Sequence, residues 1–230
     1  MIWLRPSERV ALLLSLDVSV RSVLLCLPAA IAVAWVLSRR RFFGRVLVDA
    51  LVHLPLVLPP VAVGYLLLVL FGARGPIGGW LHRVFGIDLI FTRNGAALAT
   101  AVMTFPVMVR AIRLSLENVD HGLEEAARTL GARRLDRFAT ITLPLILPGI
   151  LAGTIMAFSA GLGEFGAVIT FVSNIPGETR TLPLALYTAL QSPGGGAAAA
   201  RFAAISFTLG IGGVLSAEWL TRRVRRMLGS

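Results

Sequence analysis

The chain has 230 residues, of which 56% are hydrophobic and only 15% charged, and its mean hydropathy is +0.81. A soluble domain carries about 25% charged residues, so this composition excludes intrinsic disorder, argues against a water-soluble enzyme, and points to a bilayer as solvent. The net charge of +10 comes from 22 arginines and no lysine, which removes a Walker A phosphate loop and Schiff-base chemistry, since both need a lysine.

At the N-terminus, Arg5 and Arg9 precede an apolar run over 10–16. No small-residue cleavage site closes that run, so it is not read as a signal peptide. Residues 7–16 are expected to form an interfacial helix leading into a first span. Asp17 and Arg21 stand one helical turn apart and can neutralise each other near the membrane surface.

A spanning helix needs about 20 apolar residues to cross roughly 30 Å of hydrocarbon. Five stretches qualify: 18–37, 46–71, 96–112, 146–172 and 202–220. Several exceed 20 residues, which tilting or interfacial ends accommodate. No two-residue alternation supports a membrane barrel. The expected class is therefore an all-α polytopic membrane protein with about five transmembrane helices, one domain over 1–230. The lone cysteine, Cys26, and three histidines leave no internal disulfide and no Cys-x-x-Cys zinc site.

Pro55, Pro59 and Pro60 fall in the second stretch, Pro106 in the third, and Gly161, Gly163 and Gly166 in the fourth. Membrane bundles tolerate such residues where neighbours satisfy the freed backbone groups. The bends line a path or serve packing alone; both readings stand. Gly149 and Gly153 form a Gly-x-x-x-Gly pair that allows close helix approach. There is no internal repeat, so a pathway needs a second copy or partners.

Arginine placement gives orientation. The links 38–45 and 110–142 and the tail from Arg222 hold 14 of the 22 arginines. The positive-inside rule places these in the cytoplasm, with an external N-terminus and a cytoplasmic C-terminus. Arginines at the ends of apolar runs are a membrane pattern, not a nucleic-acid footprint.

Gly161 to Gly166 matches the dinucleotide fingerprint in letters, but no strand–turn–helix surrounds it. Glu164 inside that run is a costly charge at membrane depth unless paired or wet. It faces an aqueous cavity, fixes the glycine-rich bend, or sits at an interfacial helix end.

The link 113–142 is the cytoplasmic loop of this topology. Leu123, Ala126, Ala127 and Leu130 recur at helical spacing and form one apolar face. Glu124 and Glu125 sit near the helix start and Arg128 towards its end, as the macrodipole favours. Gly131 is a natural helix stop. A membrane-lying helix would carry larger apolar anchors and a basic polar face. Two alanines flanked by acids suit a groove on a protein partner instead.

Glu125-Ala-Ala-x-x-x-Gly131 followed by Ile141-x-Leu143-Pro144 resembles the EAA loop of bacterial ABC-importer permeases. The stretches from His53 to Tyr65 and from Gly163 to Pro183 resemble the signatures of molybdate permeases. The likeness covers about 15–220. It implies a type I ABC importer permease fold in the bacterial inner membrane, with Leu123–Gly131 as the coupling helix. It also implies a homodimer, two ATPase subunits that hold ATP and magnesium, and a periplasmic molybdate-binding protein. This chain itself would be neither enzyme nor cofactor carrier. Thr100, Thr104, Ser159 and Thr170, with Glu164, are candidates for the pathway, and Asn174, Pro176 and Gly177 for the binding-protein contact. The rival cargoes are tungstate and sulfate or thiosulfate; the rival class is an ATP-independent anion transporter. No His-Glu-x-x-His or Gly-x-Ser-x-Gly suggests a membrane enzyme.

Overall fold

In the computed structural model the described residues are 5–40 and 42–227, and all their regular structure is helical. The first helix, α1 (Pro6–Arg39), is continuous for 34 residues. At about 1.5 Å per residue it is roughly 51 Å long, well beyond the hydrocarbon thickness. The interfacial segment expected over 7–16 is thus the first part of α1 and not a separate helix. Pro6 opens it without losing a useful N–H, and the Glu8 carboxylate accepts the Arg5 N–H at 2.9 Å.

The second stretch is broken. α2 (Arg45–Val57) and α3 (Pro60–Phe71) meet at a 115° bend. Leu58 precedes a proline and is driven extended, at φ −75° and ψ 145°. Pro59 and Pro60 cannot donate the N–H groups that would carry a helix across the join. α4 (Pro76–Phe85) follows, then α5 (Arg93–Glu117), which contains the third expected span. The hydroxyl of Thr92 caps α5 by accepting the Gly95 N–H at 3.1 Å.

α6 (His121–Thr129), α7 (Arg134–Arg137) and a π-helical segment (Phe138–Thr142) lead into α8 (Leu143–Leu162). The expected fourth span, 146–172, ends ten residues early at Leu162. Gly163 closes α8, and the chain restarts as the short α9 (Gly166–Val172). α10 (Leu182–Gln191) and α11 (Gly196–Met227) complete the chain, and the fifth expected span lies inside α11. Among the described residues, four helical stretches are long and apolar enough to cross a membrane, and the bent α2–α3 pair makes a fifth if counted as one span.

Pairwise contacts give the relative directions. Arg21 of α1 donates to the Asn94 side chain at 2.8 Å, and Cys26 Sγ to the Ala101 carbonyl at 3.2 Å. Partner numbers rise together, so α1 and α5 are parallel. Gly149, Gly153 and Gly161 of α8 face Ser115, Ala111 and Thr100 of α5, so α8 runs the other way. The two glycines of the Gly-x-x-x-Gly pair both lie on this crossing, where a Cβ at Gly153 would stand 3.0 Å from that of Ala111. α11 starts beside α1, where Arg201 meets Glu8, and its Gly213 abuts Ser159 of α8. The ends of α1, α5 and α11 and the start of α8 therefore share one side. That side carries Arg39, Arg40, Arg113, Arg128, Arg133 and Arg222, the arginine-rich set.

α5 is the central helix, with 61% of its apolar window buried, against 11% for α11. Along α11, Phe207, Val214 and Leu215 are exposed. In a bilayer such a face meets lipid or another subunit without penalty.

Candidate functional site

The loop between α5 and α8 is built as a capped helix. Asp120 lies in extended backbone, and its carboxylate accepts the Gly122 N–H at 2.8 Å. An aspartate just before the periodic residues is the sequence signal for this N-cap, one that the apolar spacing alone does not carry. At the other end the Gly131 N–H donates to the Arg128 carbonyl at 3.1 Å and the Ala132 N–H to the Ala127 carbonyl at 3.0 Å. This bond pair is a Schellman turn. Leu130 is the cap residue, and Gly131 sits one position beyond it at φ +86°, where a side-chain Cβ is disfavoured. Asp136 braces the exit by accepting the Arg133 N–H at 3.2 Å, and the Thr140 hydroxyl donates to its carbonyl at 2.6 Å.

The apolar face predicted from spacing is present and uncovered. Leu123 is 48% exposed and Leu130 88%; Ala126 and Glu125 are exposed, and Ala127 is half-buried. The side chain of Glu124 lies outside the described residues. A helix of nine residues is below the length at which isolated helices hold in water, about 12–15. Its two caps compensate in part, and burial of its bare face would supply more.

Close to this end, Arg113 of α5 donates to Asp49 of α2 at 2.9 Å and to Glu117 at 2.8 Å. His53 Nδ1 lies 2.9 Å from the Asp49 carbonyl oxygen. The Arg113–Asp49 pairing joins residues 64 apart in sequence, a separation for which the sequence offers no signal.

The candidate pathway residues do not form one site. Thr100 and Thr104 are 0% and 3% exposed, and Thr100 faces Gly161 of α8. The Thr104 hydroxyl donates to the Thr100 carbonyl at 2.9 Å within its own helix. Ser159 is half-buried against Gly213 of α11. Thr170 is half-buried, donates to the Gly166 carbonyl at 2.8 Å and faces Gly64 of α3. Glu164 accepts the Ala167 N–H at 2.9 Å and so caps α9 across the glycine-rich bend.

The segment after α9 is tightly tied. Asn174 donates to the Thr188 hydroxyl at 2.8 Å and accepts from Arg180 Nε at 2.8 Å. Three successive N–H groups, of Glu178, Thr179 and Arg180, converge on the Ile175 carbonyl. Pro176 is exposed, and the Gly177 carbonyl accepts from Arg93 at 2.7 Å. This loop lies at the start of α5, the side of the molecule opposite α6.

Against known proteins, residues 27–226 match the family described as binding-protein-dependent transport system inner membrane component. The chain is 59% identical over 226 residues to the molybdenum transport system permease protein ModB of Escherichia coli strain K12, covering 98% of this chain and 99% of that one. Identity to the ModB protein of Haemophilus influenzae is 53% over 219 residues, covering 95% and 96%. The sulfate transport system permease protein CysT of Escherichia coli strain K12 is 42% identical over 158 residues, 69% of this chain and 57% of that one. Among solved structures, a bacterial ABC transporter importing the acidic polysaccharide alginate shares the fold at a TM-score of 0.73 and 20% identity, over 96% of this chain and 81% of that one. The likeness in fold, the helical bundle and the near full-length match agree: this chain belongs to the family of inner membrane components of binding-protein-dependent transport systems.

Proposed function

We propose that the chain is the membrane permease of a molybdate importer and that it works as a pair of identical subunits. Each would contribute five spans, with the pathway along the two-fold axis. The observation that carries the cargo is the 59% identity over almost the whole length to a molybdenum permease. Against this, the match to a sulfate permease is lower and covers only 69% of the chain. The N-terminus would be periplasmic and the C-terminus cytoplasmic, because the arginine-rich side holds α6 and the end of α11.

The chain has no lysine to build a P-loop, so the motor would be a separate pair of ATPase subunits holding ATP and magnesium. The bare face of α6, with Leu123, Ala126, Ala127, Leu130 and the Gly131 turn, would dock in a groove on each ATPase. Closure of the ATPase pair on ATP would draw the two α6 helices together and bias the bundle outward-facing. Hydrolysis would return it inward-facing, a two-state switch driven by differential binding. A periplasmic binding protein would deliver the anion on the opposite side, near Asn174, Pro176 and Gly177. The permease itself would perform no catalysis.

The test is uptake of labelled molybdate by cells that lack other molybdate permeases and express this chain with its neighbouring ATPase and binding protein. The reading predicts saturable uptake that needs all three components and is blocked by tungstate, with sulfate a poor competitor. Uptake without the ATPase would establish an ATP-independent transporter instead. Preferential inhibition by sulfate would reassign the cargo.

A further inference from the structure

An open groove of about 910 Å³ lies between the end of α1 and the segment that leads from α7 into α8. Its floor is apolar, formed by Pro28, Ile31 and Trp35 on one side and Phe138 on the other; its mouth carries Arg39, Arg40 and Arg137. From Pro28 to Arg39 the helix rises about 16 Å, roughly half of a 30 Å hydrocarbon core. The groove therefore has the depth of one leaflet, apolar within and cationic only at the surface. The guanidinium of Arg40 rests over the Trp35 ring, 5.4 Å from its centroid, which holds the charge above the apolar floor. The opposing wall is the π-helical segment Phe138–Thr142, a widened turn that leaves room beside α1.

We propose that this groove holds one anionic phospholipid, with an acyl chain along Pro28–Trp35 and its phosphate among Arg39, Arg40 and Arg137. A soluble anion would have no use for the apolar floor, and a protein helix would have to bring acids to the mouth alone. The lipid would touch both α1 and the segment running out of α6, and so would brace the loop against the bundle. The inference needs only that the chain sits in a bilayer, so its failure leaves the transport reading untouched.

The test uses the full-length chain in mild detergent with the subunits it retains. Phosphatidylglycerol or phosphatidylcholine with matched chains is added, and bound lipid is counted by native mass spectrometry. A basic residue close to the membrane surface favours an anionic headgroup by about fivefold, and Arg40 is the one tested. Wild type is expected to retain phosphatidylglycerol at least fivefold over phosphatidylcholine, and Arg40→Gln to lower that preference by about fivefold. Ala32→Trp, which fills the groove from an exposed position on α1, is expected to remove the tightest-bound lipid. The proposal is overturned by equal retention of the two lipids, by an unchanged preference in Arg40→Gln, or by undiminished binding in Ala32→Trp. Cross-linking of an Ala32→Cys variant to another protein in native membranes would overturn it too, because protein would then cover the groove.

Discussion

Gly131 isolates the backbone contribution of the α6 turn from any contact it makes. Its φ of +86° is a left-handed conformation, and a Cβ built there meets no heavy atom within 4 Å. Alanine would therefore add strain without a clash inside the chain. Holding a non-glycine residue left-handed costs about 1–2 kcal/mol, a factor of roughly 5–30 in an equilibrium constant. In the free chain the last turn of a nine-residue helix can fray and relax that strain, so the cost would fall on docking. Gly131→Ala is expected to weaken ATPase association by up to that factor, and Gly131→Asn by less, because asparagine tolerates the left-handed region. If leucine is much worse than alanine, the excess reports a partner surface against Gly131. The assay is titration of the purified permease with the ATPase subunit, with molybdate-coupled ATP hydrolysis as the second readout. Wild-type affinity in Gly131→Ala, or asparagine no better than alanine, would refute the claim that α6 docks in this capped geometry.

At the α5–α8 crossing, Gly153→Leu would place branched carbons where a Cβ already lies 3.0 Å from the Ala111 Cβ and 3.3 Å from the Met108 carbonyl oxygen. The expected cost is about 1–3 kcal/mol of overpacking, seen as a lower thermal midpoint in detergent; an unchanged midpoint would mean the helices are not packed this closely. Glu164→Gln keeps an oxygen to cap Ala167 and should transport normally, whereas Glu164→Ala should lose about 1 kcal/mol of stability. Loss of uptake in the glutamine variant at normal stability would show that the charge itself is used. Glu8 is 2% exposed and meets Arg201, itself 36% exposed, at 2.6 Å. Glu8→Ala removes this ion pair and the bond to the Arg5 N–H but leaves Arg201 partly solvated, so it should destabilise by about 1 kcal/mol; thermal unfolding of Glu8→Ala, Arg201→Gln and the double variant measures the coupling, and strictly additive losses would mean the pair contributes nothing. Cysteines placed at the exposed Phe43 and Pro176 should react with a membrane-impermeant maleimide from opposite sides, and labelling of both from one side would break the five-span topology.

What the sequence made legible was local. The α6 face follows from a 3.6-residue period, and the role of Gly131 from the one backbone conformation that needs glycine. The Asp17–Arg21 pair, one turn apart, forms at 2.9 Å. The arginine-rich links do share one side of the bundle. What stayed hidden was decided between distant segments. Hydropathy runs unbroken through Leu58 and through Gly163, so neither break changes the average that marks a span. The bend at Pro59 is tolerated because α3 packs on α9, where Gly64 and Gly166 let the backbones approach. Thr100 and Thr104 look like pathway hydroxyls in sequence, yet both are buried in this bundle, and only the fold shows which helix face is inside. The buried Glu8 is satisfied by Arg201, 193 residues away, and by the N–H of Arg5. The leaflet-deep groove beside Trp35 arises from a π-helical segment that no residue pattern announces.

The central claim is that this chain takes its power from a separate ATPase through the bare face of α6. Site-directed cross-linking from a cysteine at Leu123, which is 48% exposed, tests it in the assembled transporter. The account predicts a strong cross-link to the ATPase subunit, and a cross-link between cysteines at Leu123 of the two permease copies that rises when ATP closes the ATPase pair. A Leu123 cysteine that reacts with lipid-phase reagents and never with the ATPase, in a transporter that still accumulates molybdate, would contradict it.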